Sequence, residues 1–310
     1  MKILITPRSF GKNDDTPFKM LESKGIEIVR NDTGGIMTED ALKTAVKGVD
    51  GIIIGVDPLT ADVMAVAPGL RAVAKYGVGT DNIDLDYCKE KGILVSKTVG
   101  ANSEAVADYT FALILALARK VLVIDRQCRK KDWAKITTSD VSGKKLGLIG
   151  LGAIGKGVGK RAKGFGMEIL AYDLYWDEEF AKENGVKYAA VDEIIKGCDF
   201  ISLHVPLTDE TQNIIGKREL ELMKPGSFIV NTARGGLIDE KALLDALESG
   251  IVGGAGLDVF AEEPPADERW YNLDNVVLGS HCSASTTGAS IMMGLMSAEN
   301  LLRDLGLNEE

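Results

Sequence analysis

The segment Lys145-Leu146-Gly147-Leu148-Ile149-Gly150-Leu151-Gly152-Ala153-Ile154-Gly155 decides the fold of the middle of this chain. Its first five residues form an apolar run of strand length, and the G-x-G-x-x-G that follows opens a helix-like stretch. Gly150 and Gly152 permit a tight turn and close approach of a pyrophosphate, while Gly155 lets helix and sheet pack together. The helix start adds N–H groups and the positive end of a dipole, so Ala153 and Ile154 join the glycines as candidate phosphate-binding positions. With 35 glycines in the chain, the motif alone is weak evidence, and its placement between strand and helix gives it weight. The next strand ends at Tyr172-Asp173, about 20 residues on, where an acid accepts hydrogen bonds from the adenosine ribose. In isolation Asp173 would read as a helix cap. In this context it favours NAD over NADP, because a carboxylate repels a 2′-phosphate and no Arg follows at once.

Working outward, the same alternation of short apolar runs and helix-like stretches recurs on both sides. Downstream, strands are predicted at Glu168–Tyr172, Phe200–Leu203, Ser227–Asn231, Gly254–Asp258 and Val276–Leu278, with a last helix from Ala284 to about Leu305. Upstream, strands are predicted at Ile3–Thr6, Ile26–Val29, Gly51–Gly55, Ala72–Lys75 and Ile93–Val95, with helices such as Pro17–Lys24 and Thr38–Val46. This is the pattern of α/β domains with largely parallel sheets. Ser103–Arg119 is a long helix, apolar enough to be buried between layers, with Ser103 as its expected N-cap. The basic stretch from Val121 to Lys145 reads as a solvated face or an oligomer arm.

A length of 310 residues suits two compact domains. A net charge of −10 argues against nucleic-acid or anionic-membrane partners, which want a basic surface. Cys88, Cys128, Cys198 and Cys282 are scattered, with no C-x-x-C pair, which fits reduced thiols and no metal site. The opening apolar run is halted by Pro7, too short for a signal peptide, and no stretch reaches the roughly 20 apolar residues of a spanning helix. A cytoplasmic location is expected.

The chain has two histidines, and both follow strands at the ends where α/β sheets bind ligands. His204 follows Phe200–Leu203, and His281 follows Val276–Leu278 by way of Gly279-Ser280. Either could serve as an acid/base near neutrality, and the residue pattern does not choose between them.

Three further segments carry a resemblance. Asn231-Thr232-Ala233-Arg234-Gly235-Gly236-Leu237-Ile238-Asp239, then Leu257-Asp258-Val259-Phe260-Ala261-Glu262-Glu263-Pro264-Pro265, then Asn275 to His281 with Ala284-Ser285-Thr286 follow in order. They resemble the arginine, glutamate and histidine signatures of the D-isomer-specific 2-hydroxyacid dehydrogenase family, and the likeness spans nearly the whole chain. The resemblance implies that Arg234 grips a substrate carboxylate and carbonyl oxygen. It makes His281 the proton donor and acceptor, with Glu263 fixing the imidazole tautomer. Asp258 is then placed near the nicotinamide, His204, Val205 and Pro206 at the adenine pocket, and Thr232 and Ala233 against cofactor. The segment Lys75-Tyr76-Gly77-Val78-Gly79-Thr80-Asp81-Asn82 resembles the family's substrate loop, with Lys75 and the N–H groups of Val78 and Gly79 as candidate anion contacts.

The family fold implies two Rossmann-like doubly wound domains. An NAD-binding domain, residues 100–282, is inserted in a flavodoxin-like substrate domain of residues 1–99 and 283–310. The helix from Ser103 would be an interdomain element, the cleft between the halves would hold the chemistry, and a homodimer is a family expectation. The partner is then a small 2-hydroxy or 2-keto acid. Within the family the nearest flavour is short-form D-3-phosphoglycerate dehydrogenase, a serine-biosynthesis enzyme, with Arg8 and Lys75 as the cations a phosphate would require. Glyoxylate or hydroxypyruvate reductase is the rival substrate reading, and a non-catalytic NAD-responsive corepressor module the rival class. Formate dehydrogenase is disfavoured because it carries Gln where Glu263 stands. Ser280 stands where the family often has Pro, Ser283 where Gly is common, and Ala153 where Arg is frequent. The first two bear on how the backbone aims His281. Cys282 beside His281 is not read as a nucleophilic dyad, since neighbouring side chains point apart.

Overall fold

Short runs rich in Ile, Val and Leu, bounded by Gly, Pro and Asp, become the strands. A computed structural model describes residues 1–307 of the protein. The sequence expectation that ran to residue 310 therefore extends three residues beyond the described ones. The chain divides into two units, one made of Met1–Asn102 with the chain from Ser285 onward, the other of Ser103–Ala284.

In the first unit the strands are β1 (Lys2–Ile5), β2 (Glu27–Arg30), β3 (Gly51–Ile54), β4 (Ala72–Lys75) and β5 (Leu94–Lys97). They pair in parallel in the order β2-β1-β3-β4-β5, the flavodoxin-like order. Side chains alternate across this sheet, as the strand period of two requires. Leu4, Ile52, Ile54 and Val73 fill the core on one face. Ile3, Ile5, Ile53 and Ala74 face Ala298, Leu301 and Leu302 of the last helix, Thr287–Asp304, on the other. Ile52, Ile53 and Ile54 are all fully buried, each contributing about 1.5–3 kcal/mol of hydrophobic stabilisation. That buried triplet reads as a continuous apolar run because helices cover both faces.

In the second unit the strands are β6 (Lys145–Ile149), β7 (Glu168–Tyr172), β8 (Val186–Tyr188), β9 (Phe200–Leu203), β10 (Phe228–Asn231), β11 (Gly254–Leu257) and β12 (Val276–Leu278). The order β12-β11-β10-β9-β6-β7-β8 is the Rossmann order with one extra parallel strand, and its switch point lies between β6 and β9. Ile149, Ile201, Leu203 and Leu257 pack on one face, and Leu146, Leu148, Ile169 and Phe200 on the other.

Local expectations meet corrections at several ends. The strand β8 has no counterpart in the sequence reading, since three residues at a sheet edge show too little periodicity. Ser103 is the first residue of the helix Ser103–Ala118 rather than its cap. That helix belongs to the second unit. It packs inside the second unit against the helix Ala153–Gly164, where Arg161 reaches Glu104 and Asp108 at 2.9 and 2.5 Å. The last helix begins at Thr287, later than Ala284, because the Thr286 hydroxyl caps it by accepting the Ala289 N–H at 3.1 Å. The helix Val121–Arg129 buries none of its residues, in keeping with a solvated or partner-facing role. Among the described residues no helix is long and apolar enough to cross a membrane.

Candidate active site

The parallel sheet of the second unit brings the ends of β6 and β9 side by side, so the glycine turn meets His204. Gly150 has φ +105°, and a Cβ there would lie 2.6 Å from the carbonyl carbon of His204. Only glycine suits that turn. At Gly152 a Cβ would meet nothing within 4 Å, so open space lies over the helix start. Gly152 is also the N-cap of the helix Ala153–Gly164, and it has no side chain to satisfy the first-turn N–H groups. Asp173, at the end of β7, accepts the Leu151 N–H at 2.5 Å and the Tyr175 N–H at 2.8 Å. Its carboxylate is thereby fixed beside the turn.

His204 donates its backbone N–H to the Ile149 carbonyl at 2.7 Å, and its Nε2 lies 2.9 Å from the Ser202 hydroxyl. Its Nδ1 is sealed from solvent with no hydrogen-bond partner among the described residues. Burial pushes its pKa down to about 4. Val205 packs against the core beside it, and Pro206 is exposed. The open helix start, the fixed acid and the orphaned nitrogen together suit a dinucleotide.

The other candidate residues of this unit cluster at the ends of β10, β11 and β12. Asn231, 1% exposed, accepts the Ala233 N–H at 3.0 Å and donates to the Arg234 carbonyl at 2.7 Å, which shapes the turn carrying Arg234. Thr232 is buried, with its hydroxyl 2.8 Å from that of Thr110. Arg234 donates to the Ala233 carbonyl at 2.6 Å. Gly235 lies against the backbone of the next loop, where a Cβ would sit 2.0 Å from the carbonyl carbon of Phe260.

That loop carries Glu263, whose Oε1 accepts the Phe260 N–H at 3.1 Å. Glu263 also meets His281, with Nδ1 at 2.9 Å from Oε2 and 3.1 Å from Oε1. With Nδ1 facing a carboxylate, Nδ1 carries a hydrogen, and Nε2 is left to exchange a proton. His281 adopts φ +55° and donates its N–H to the Asp258 carbonyl at 2.7 Å. Asp258 is fully buried, and its carboxylate accepts the N–H groups of Cys282 and Ser283, each at 2.9 Å. The Ser283 contact uses the backbone, so Ser serves there as well as Gly. The Cys282 thiol lies 3.6 Å from the Tyr109 hydroxyl, turned to the Asp258 side and not toward an imidazole nitrogen.

Sequence reasoning missed Asn231 as a turn former and Glu240 as a loop anchor. Glu240 accepts the Ala261 N–H at 2.6 Å, and burial, with the nearby Glu263 charge, holds its carboxyl above the usual range. Asn followed by a turn was the available signal for the first; nothing local marked the second.

The candidate substrate residues belong to the first unit. Val78 is exposed, Gly79 half-buried, and both lie beyond the end of β4, outside its ladder. Lys75 departs from expectation. It is 6% exposed, and its Nζ donates to the Gly55 carbonyl at 2.5 Å and to Asn82 Oδ1 at 2.7 Å. Arg8 is exposed and donates to the Gly34 carbonyl at 3.1 Å. Among the described residues no cluster of His, Cys, Asp and Glu could hold a metal ion.

Two parallel sheets, one with a dinucleotide turn at its switch point, define a Rossmann-type nicotinamide-dependent oxidoreductase. Residues 111–283 match the family model described as the NAD-binding domain of D-isomer specific 2-hydroxyacid dehydrogenases. The chain is 44% identical over 265 residues to a glyoxylate reductase of Korarchaeum cryptofilum, covering 83% of this chain and 80% of the relative. It is 41% identical over 310 residues to a D-3-phosphoglycerate dehydrogenase of Methanocaldococcus jannaschii, covering 98% of this chain but 57% of that longer protein. The D-lactate dehydrogenase of Aquifex aeolicus, solved with NAD and lactic acid, superposes with a TM-score of 0.83 at 31% identity, covering 99% of this chain and 100% of that one. The chain belongs to the D-isomer specific 2-hydroxyacid dehydrogenase family and carries its NAD-binding domain.

Proposed function

We propose that this protein interconverts a small 2-keto acid, of glyoxylate or hydroxypyruvate size, and the corresponding D-2-hydroxy acid. The observation that carries the reading is the His281–Glu263 pair, with Nδ1 at 2.9 Å from the carboxylate and the imidazole partly open to solvent. NAD supplies or receives the hydride. In reduction His281 gives the Nε2 proton to the carbonyl oxygen as the carbon takes up hydride, and in oxidation neutral His281 removes that proton from the hydroxyl. Glu263 holds the ring orientation and the Nδ1 hydrogen. The Arg234 guanidinium binds the carboxylate and polarises the carbonyl. Gly150, Gly152, Ala153, Ile154 and Gly155 receive the pyrophosphate, Asp173 the ribose, and His204, Val205 and Pro206 line the adenine side. Asp258 would lie near the nicotinamide, and Thr232 and Ala233 would touch the cofactor. Val78 and Gly79 offer their backbone N–H groups to a carboxylate.

Lys75 bears on the choice of acid. A phosphate requires cations, and the Lys75 amino group is turned into the protein toward Gly55 and Asn82. That favours an unphosphorylated acid over 3-phosphohydroxypyruvate. The phosphoglycerate reading keeps one support, the 41% identity that extends over 98% of this chain to the Methanocaldococcus protein. Exposed Val121, Leu122 and Trp133 support assembly as a homodimer, which light scattering measures directly, and cytoplasmic action belongs to the same reading.

The test follows NADH absorbance against glyoxylate, hydroxypyruvate, 3-phosphohydroxypyruvate and pyruvate, with His281→Ala as control. Turnover lost in the variant is the expected result, with hydroxypyruvate or glyoxylate preferred. NADH binding without turnover of any acid would move the protein to the class of NAD-responsive interaction modules.

A further inference from the structure

We propose that Lys75 is a positioning residue, one that closes the loop of residues 77–82 so that the Val78 and Gly79 N–H groups face a substrate carboxylate, and that it does not itself touch substrate. The inference rests on the dehydrogenase reading above and concerns how its acid is chosen.

The loop leaves β4 immediately after Lys75, and it is pinned at both ends. At its start, the Gly77 N–H donates to the Thr98 hydroxyl at 2.9 Å and the Gly77 carbonyl accepts the Thr98 N–H at 3.0 Å. At its close, Asn82 Oδ1 accepts from Lys75 Nζ at 2.7 Å, while Asn82 Nδ2 donates to the carbonyls of Gly55 and Asp57 at 3.1 and 2.6 Å. The Asn82 carbonyl also accepts the Leu59 N–H at 2.7 Å. Lys75 Nζ reaches the Gly55 carbonyl as well, so one amino group ties the end of β4 to the end of β3 and to the far end of the loop.

This tie belongs to a larger buried network. The Gly55 N–H donates to the Thr6 hydroxyl at 3.0 Å, the Thr6 hydroxyl donates to the Asp57 carboxylate, and that carboxylate accepts the Met37 N–H at 2.8 Å. The C-terminal ends of β1, β3 and β4 are thereby one hydrogen-bonded unit, at the end of a parallel sheet where ligands bind. Residues 78–81 span the short stretch between the two pins. Backbone N–H groups bind an anion well when their directions are set beforehand, because the ordering cost is then met in folding and not on binding.

The same geometry argues against direct contact. An amino group turned out to a phosphate would leave the Gly55 carbonyl and Asn82 Oδ1 without this donor in a buried setting. A carboxylate read by backbone N–H groups, with no second anion satisfied by Lys75, fits a small 2-keto acid.

The test compares the unaltered protein with Lys75→Met, Asn82→Ala and the double variant, each assayed with NADH against hydroxypyruvate and 3-phosphohydroxypyruvate. Positioning predicts that KM for every acid the protein reduces rises by the same factor, about ten-fold or more, while kcat changes several-fold less. Because the two side chains serve one brace, the double variant resembles either single one and does not show the product of their effects. A loss confined to the phosphorylated acid would overturn the inference and make Lys75 a phosphate contact. Unchanged KM in both single variants, or effects that simply multiply, would also overturn it. A Lys75→Met protein that fails to fold leaves Asn82→Ala to decide by the same KM criterion. Absence of turnover by the unaltered protein with every acid would instead remove the dehydrogenase reading, and this inference with it.

Discussion

The backbone carbonyl of Asp258 accepts the N–H of His281 at 2.7 Å, although 23 residues separate them in the chain. His281 sits at φ +55°, a left-handed conformation that costs a non-glycine residue about 1–2 kcal/mol. The Asp258 carboxylate holds the two following N–H groups, so one buried acid fixes three consecutive amides at the turn that aims the imidazole. Replacing Asp258 by Asn sets an NH2 group against one of those N–H donors. We expect kcat with the preferred keto acid to fall at least about ten-fold, in line with the loss of a charge-assisted buried hydrogen bond. Steady-state kinetics at saturating NADH give the answer, and an unchanged kcat would refute the scaffold role.

Glu263 and His281 should fail together. His281→Ala removes the proton donor and should lower kcat by about 10²–10⁴-fold, with Glu263→Gln lying between that variant and the unaltered protein. NADH affinity should change little in either. A Glu263→Gln enzyme with full activity would show that the 2.9 Å contact is structural only.

Asp173 is set beside the glycine turn by the Leu151 and Tyr175 N–H groups. Asp173→Ala should weaken NADH binding by about 10–100-fold, the worth of charge-assisted hydrogen bonds to a diol, and should narrow the preference over NADPH. Fluorescence titration with both nucleotides measures this. Equal NADH affinity in the variant would place the ribose elsewhere.

His204 makes a prediction about stability. Its folded pKa, about 4, lies below the ordinary 6.5, so the unfolded chain binds a proton more readily between those values. Stability from this residue is therefore full above pH 6.5 and is lost as pH falls toward 4. The loss attributable to His204 should be on the order of 2–3 kcal/mol. Urea unfolding of the cofactor-free protein at several pH values, compared with His204→Gln, isolates it. Parallel pH slopes for the two proteins would mean that the ring takes up its proton in the folded state without penalty.

Much of this molecule was legible locally. The run Lys145–Ile149 followed by three spaced glycines announced a strand, a turn and a helix, and the acid at Asp173 marked the next strand end. Strand period, glycine tolerance and helix starts depend on neighbours in the chain, which is why Ala72–Lys75 and Glu168–Tyr172 were readable to the residue. The order of the three signature segments carried the family.

Other features depended on residues far apart in sequence. The two histidines were alike as text. Only the fold sets one ring beside Glu263, eighteen residues away, and buries the Nδ1 of the other without a hydrogen-bond partner among the described residues. Lys75 read as a cation for an anion, and packing turned it inward because the parallel sheet brings the buried Gly55 carbonyl, twenty residues back, beside it, with Asn82 of the following loop as a second acceptor. Glu240 and Asp258 took their tasks from backbone amides brought to them by strand order. Sequence determines what a side chain can donate or accept, and local patterns determine the element it rides on. Which partner it meets depends on the register and crossing of elements distant in the chain, and for these residues only the tertiary structure decided it.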